Sequence, residues 1–165
     1  ENYDAAVLSC LRRATPDEIA QWPDVSEGLE NRLYRLAQEA SGVDALVESA
    51  ATRRYTYARI RRILAYGLTG LKQHEMERYK RSGGPRYLRV LGFNESGAPL
   101  LKAIREKAKL PLIMSPAKAL KEMRPKTARS QLLLDIRAQN LYALGMPGAD
   151  KRNGNMDYYR PYIHP

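Results

Sequence analysis

Arg53–Leu71 reads RRYTYARIRRILAYGLTGL. Ile60, Ile63, Leu64, Gly67, Leu68 and Leu71 recur at the spacing that puts side chains on one side of a helix. Tyr55, Arg59, Arg62 and Tyr66 fall at i, i+4, i+7 and i+11, on the other side. The stretch therefore predicts an amphipathic helix from about Thr56 to Leu71, able to run on toward Tyr79. Ser82-Gly83-Gly84-Pro85 then breaks it. One side can enter a core while the other presents guanidinium groups, which fork onto phosphates, and tyrosine rings, on which bases stack. The alternative is a solvated helix whose arginines pair with carboxylates elsewhere in the chain.

Helical periods also dominate toward the N-terminus. Asp4–Arg13 carries Ala5, Leu8 and Leu11 on one side. Thr15-Pro16-Asp17-Glu18 is a helix start, with Thr15 as cap, Pro16 in the first turn and Glu18 completing a capping box. That short helix ends near Trp22-Pro23. Ser26 is positioned to cap a helix through about Ala40, with Leu29, Leu33 and Leu36 inward and Gly42 as its stop. Asp44–Ala50 predicts another short helix.

Toward the C-terminus the pattern changes. Tyr87–Phe93 (YLRVLGF) predicts a strand, Asn94–Gly97 a turn, Pro99–Lys107 a helix and Leu110–Met114 a second strand. Strand, helix and strand in so short a span suggest a parallel pair with a crossover helix. Ser115-Pro116 opens a helix through Met123. A last helix runs from about Lys126 to Leu144, with Leu133, Ile136, Asn140, Leu141 and Leu144 on related faces and Gly145 as its stop. Residues 146–165 read as an irregular tail, packing on the body through Tyr158, Tyr159 and Tyr162. The expected fold is mainly α: a compact helical domain over 1–145 with a small two-stranded parallel β element, and the tail.

Charge is segregated along the 165 residues. Residues 1–52 carry 4 Lys/Arg against 10 Asp/Glu, net −6; residues 53–89 carry 11 against 2, net +9; residues 90–165 carry 13 against 6, net +7. Such a field attracts a polyanion. The acidic first third could also fold back and neutralise part of it. A single cysteine, Cys10, excludes an internal disulfide and fits a reducing, cytoplasmic setting. No apolar run is long enough for a membrane span. The chain begins at Glu1 without an initiator Met, as a fragment or processed product would.

Most catalytic signatures are absent. His74 and His164 are the two histidines and form no metal pair; Gly83-Gly84 lacks the strand and helix of a nucleotide-binding loop. Asp135 and Arg137 read as a structural polar pair. Ser26–Arg32 (SEGLENR) is the one dense polar constellation, with a glycine that costs about 1 kcal/mol against alanine in a helix interior. It reads either as a helix start, with Glu27 and Glu30 set against the helix dipole, or as a site where Glu27, Asn31 and Arg32 face a ligand or another domain.

SEGLENRL (Ser26–Leu33), RRYTYARIRRIL (Arg53–Leu64), RVLGFNESG (Arg89–Gly97), KLPLI (Lys109–Ile113) and DIRAQNLYALG (Asp135–Gly145) resemble, in order and spacing, the C-terminal region of the bacterial tRNA(Met) cytidine acetate ligases. The resemblance covers about Tyr3 to Gly145. It implies a parent enzyme that activates acetate with ATP and acetylates N4 of the wobble cytidine of elongator methionine tRNA. The nucleotide site of that family, with its PxHxGH-type motif, lies in an N-terminal nucleotidyltransferase-like domain, and this chain has no such motif. The chain is therefore expected to bind tRNA without a cofactor of its own, and to lack activity alone. Arg53, Arg54, Arg59, Arg61, Arg62, Lys80, Arg81 and Arg86 are the expected phosphate contacts, with Tyr55 and Tyr57 for stacking. The alternative is an interaction domain that supports the missing catalytic domain without touching RNA.

Overall fold

The computed structural model describes residues 3–159 and 162–163. They divide into two units, Glu1–Glu77 and Arg78–Pro165. Tail residues 160, 161, 164 and 165 lie outside the described residues.

The first unit is helical. It holds α1 (Asp4–Arg13), α2 (Pro16–Ala20), α3 (Leu29–Glu39), α4 (Val43–Ala50) and α5 (Tyr57–Thr69). Their apolar stripes meet in one core, where Leu11, Ile19, Leu29, Leu33, Leu46, Ile60 and Ile63 are fully buried. Each such side chain contributes about 1.5–3 kcal/mol by leaving water. The capping box forms as the sequence predicts: the Glu18 amide donates to Thr15 Oγ1 at 3.2 Å, and the Thr15 amide donates to the Glu18 carboxylate at 2.8 Å. That backbone bond holds the Glu18 carboxyl below its ordinary range.

Three expectations change here. Ser26 does not cap α3; Gly28 occupies the cap position with φ 83°, and its side-chain-free backbone supplies a left-handed turn rather than a close approach. Tyr55 lies outside α5, which Thr56 caps by accepting from the Arg59 amide at 3.3 Å. The arginine-rich helix does not continue to Tyr79. It stops at Gly70 (φ 71°), whose amide turns back onto Gly67, and α6 (Gln73–Arg81) begins separately. The boundary between the units falls within α6.

The second unit pairs β1 (Leu88–Arg89) with β2 (Leu112–Ile113) in parallel, in the register Leu88↔Leu112 and Arg89↔Ile113. The crossover between them is α7 (Ala98–Lys107), and α8 (Pro116–Glu122) and α9 (Lys126–Leu144) follow. Each strand is shorter than its sequence suggests. The end of the predicted YLRVLGF strand pairs instead with the tail: the Phe93 amide donates to the Ile163 carbonyl and the Ile163 amide to the Leu91 carbonyl, both at 3.0 Å. Ile113, Leu132 and Ile136 form the small core. The buried stripe of α9 is thus Ala128, Leu132, Ile136 and Ala143, while Leu133 and Leu144 are exposed. The tail contains α10 (Met156–Tyr159). It packs through buried Asp157 rather than Tyr158 or Tyr159, and the Tyr162 ring lies 5.4 Å from that of Phe93. No described helix is long and apolar enough to cross a membrane.

In the first unit Trp22 crosses α5 at Gly67, where a Cβ would lie 2.5 Å from ring carbons. Gly67→Ala must displace a buried indole. Denaturant melts of this variant are expected to show a loss of about 1–3 kcal/mol, the usual cost of overpacking.

Candidate nucleic-acid interface

The chain turns sharply between α2 and α3. Asp24 (φ 64°), Glu27 (φ 58°) and Gly28 (φ 83°) all adopt the left-handed region within five residues. For the two non-glycine residues this costs on the order of 1–3 kcal/mol each. The arginine run holds that turn. The Arg59 guanidinium donates to the Asp24 carbonyl at 2.7 Å and to Ser26 Oγ at 3.1 Å. It also lies over the Tyr55 ring, 5.0 Å from the centroid, and the Tyr55 hydroxyl donates to the Ser26 carbonyl at 3.0 Å. Arg62 Nε donates to the Asp24 carboxylate at 3.0 Å, and Arg54 pairs with Glu27. The two sequence motifs, SEGLENR and RRYTYARIRR, are therefore one structure. The acidic first third does neutralise part of the basic run.

This sorts the predicted contacts. Tyr55 is buried and its hydroxyl is engaged, so it is a core residue and not a stacking platform. Arg61 pairs with Asp44 at 2.8 Å, with both side chains mostly exposed. Arg32 donates to the Ser49 and Ala50 carbonyls at 2.6 and 3.2 Å, capping α4 rather than facing a ligand. Asn31 is exposed and, among the described residues, donates to its neighbour Glu30 at 3.2 Å. Arg53 and Tyr57 remain outward, and Arg53 has no ion pair among the described residues.

In the second unit Lys80 and Arg81 are exposed on the last turn of α6, without ion pairs among the described residues. Arg86 folds back: its guanidinium donates to the Ser82 carbonyl at 2.7 Å and its amide to Gln131 Oε1 at 3.1 Å. Gln131 in turn donates to the Gly84 carbonyl at 2.9 Å, so these groups fix the Gly83-Gly84 turn.

A polar network in this unit has no counterpart in the sequence reading. Arg89 on β1 pairs with Asp157 of α10, and both side chains are nearly buried, at 13% and 10% exposure. Asp135 is 4.0 Å from Arg89 and accepts from the Tyr87 hydroxyl at 2.6 Å. Its partners are thus Tyr87 and Arg89, not Arg137 as the sequence spacing suggested. Burial, then the hydrogen bond to Asp135, pushes the Tyr87 hydroxyl well above the usual tyrosine range. Arg89 Nε and Asp157 Oδ2 are buried without hydrogen-bond partners among the described residues. They border a cavity of about 470 Å³ that Leu91 and Tyr142 also line. The signal was a lone arginine inside an apolar strand. A second cavity of about 670 Å³ lies between β2, α8 and the end of α7. Among the described residues no group of three or more His, Cys, Asp or Glu side chains could hold a metal.

The family described as HIGH Nucleotidyl Transferase matches residues 1–157. A curated relative from Acetivibrio thermocellus, a tRNA(Met) cytidine acetate ligase, is 39% identical over 144 residues, which is 87% of this chain and 34% of that protein. A ligase of the same name from Halothermothrix orenii is 34% identical over 96% of this chain and 38% of its own length. The crystal structure of Thermotoga maritima TmcAL bound with alpha-thio ATP superposes with a TM-score of 0.89 at 29% identity, covering 99% of this chain and 41% of that one. The chain thus spans 34–41% of the length of these relatives.

Two substitutions follow from the geometry. Arg59→Ala removes charged hydrogen bonds from a strained turn and is expected to cost about 1.5–3 kcal/mol in denaturant melts. Arg62→Ala breaks a half-exposed pair and is expected to cost at most about 1 kcal/mol. Tyr87 supplies a pH dependence. An unfolded tyrosine ionises near pH 10, whereas folded Tyr87 keeps its proton above that. Its contribution to stability is therefore whole below about pH 10 and is lost as pH rises past it. Tyr87→Phe should flatten the alkaline fall in stability measured upward from about pH 10.

Proposed function

The chain belongs to the HIGH Nucleotidyl Transferase family, and from that premise we propose that it is the C-terminal, tRNA-holding part of a tRNA(Met) cytidine acetate ligase. The catalytic nucleotidyltransferase-like domain, with its ATP and acetate site, lies N-terminal to it in the complete cytoplasmic enzyme. The observation that carries this reading is a match to ligases of that name along 87–96% of the chain. The net charge of +10 and the absence of a histidine-based nucleotide motif agree with a holding role. Arg53, Tyr57, Lys80 and Arg81 are the expected RNA contacts in this proposal, because their side chains are outward. Arg54, Arg59, Arg61 and Arg62 contribute field more than contact, since carboxylates and carbonyls of their own unit engage them. That last observation also favours the second reading, an interaction domain that docks on the catalytic domain without touching RNA.

Salt dependence separates the two. Binding of elongator methionine tRNA to the isolated chain should weaken steeply as salt rises. For about five neutralised phosphates, log K against log salt should slope by about −3.5 to −4.5. No binding at low salt supports the docking role instead. The isolated chain should also consume no ATP in the presence of acetate, followed with radiolabelled nucleotide. Turnover surviving stringent purification would place the activating site in this chain.

A further inference from the structure

We propose that the cavity between β2, α8 and the end of α7 takes one unpaired nucleotide of an RNA strand, base inward and phosphate on the rim. This rests on the reading of RNA as the partner, but it assigns a site in the second unit that shares no residue with the arginine run.

The cavity, about 670 Å³, is within the range of small-molecule sites, roughly 300–1,000 Å³. One lining element is β2, whose edge opposite β1 is unpaired among the described residues. The Leu88 and Val90 amides donate to the Pro111 and Ile113 carbonyls, both at 2.9 Å, so those groups of β2 face β1. Backbone alternation turns the Leu112 amide and carbonyl to the opposite edge, where no further strand lies among the described residues. Peptide donors and acceptors at such an edge can pair with the hydrogen-bonding edge of a splayed-out base. Met114 and Met123 line the same space. Their thioethers are suited to the face of an aromatic ring.

The rim is cationic. Arg105, Lys118 and Arg124 border the opening. Arg105 is placed by contact with Met114 Sδ at 3.4 Å. Glu122, the carboxylate among the lining residues, is 3.9 Å from Lys118 in a largely exposed pair, and Arg105 and Arg124 have no ion pair among the described residues. From Ala98 to Lys126 the sequence has 8 Lys/Arg against Glu106 and Glu122, net +6. An acidic peptide would match that charge, but a peptide adding to a sheet needs an edge several residues long, and β2 has two. A single base needs one or two peptide groups. Apolar trough, short open edge and cationic rim together fit a nucleotide.

The test uses the chain labelled with ¹³C at its five methionine methyls, titrated with CMP, a single-stranded cytidine hexanucleotide, heparin and an acidic peptide. CMP at millimolar concentration and the hexanucleotide should both shift Met114 and Met123, leaving the other methyls unmoved. The double variant Arg105→Gln with Arg124→Gln alters exposed side chains, and its methyl spectrum should stay dispersed. It should lower the slope of log K against log salt for the hexanucleotide by about 1.5–2. Hexanucleotide binding with Met114 and Met123 unmoved would overturn the pocket while leaving the RNA reading intact. Shifts with CMP but no binding of tRNA or hexanucleotide would support a nucleotide pocket and overturn the RNA reading. Equal shifts with heparin or the acidic peptide would reduce the site to an anion patch, and stationary methyls with every probe would remove it.

Discussion

Arg59 is tied at once to a carbonyl, a hydroxyl and an aromatic face. Each bond alone is modest, but together they hold a turn in which two non-glycine residues take left-handed backbone angles. That turn sets where α3 begins, and α3 supplies Leu29 and Leu33 to the core that α5 closes with Ile60 and Ile63. The helix that carries the arginines is thus anchored by its apolar side in the core and by its basic side on the turn. Arg32 performs a similar task at a smaller scale, capping α4 from α3.

Electrostatics in the two units then differ in kind. In the first, basic and acidic thirds of the sequence are brought together, and much of the arginine charge is spent within the fold. In the second, buried Asp157 pairs with Arg89, while Lys80, Arg81, Lys102, Arg105, Lys107 and Lys121 of α6, α7 and α8 have no carboxylate partner among the described residues. A buried pair contributes specificity more readily than net stability. An exposed, uncompensated cation contributes little to folding and much to a polyanion's approach. Within the densest basic run, Arg54, Arg59, Arg61 and Arg62 are engaged by groups of their own unit, and Arg53 has no ion pair among the described residues.

Helix periodicity made most of the architecture legible. α1, the α2 capping box, α5, the crossover unit and α9 all follow from spacing, caps and breakers, because those signals are local. The failures came where distant residues compete for the same backbone. Ser26 reads as a cap, but Arg59 claims its hydroxyl from 33 residues away. Tyr55 reads as part of a basic face, but its ring is buried beneath Arg59. The strand from Tyr87 to Phe93 is interrupted because its last part pairs with Ile163. Arg89 signalled a polar network, yet its partner Asp157 lies 68 residues on, and no local pattern points there.

Hydrogen–deuterium exchange of the chain, with and without elongator methionine tRNA, tests the central proposal that Arg54, Arg59 and Arg62 are scaffold and that the cations free of such partners bind RNA. The account predicts slowed exchange on tRNA binding over residues 78–86 and 109–126, with residues 22–28 unchanged because their turn is already held. Protection centred on residues 22–28 and 59–62, with the second unit unaffected, would contradict it.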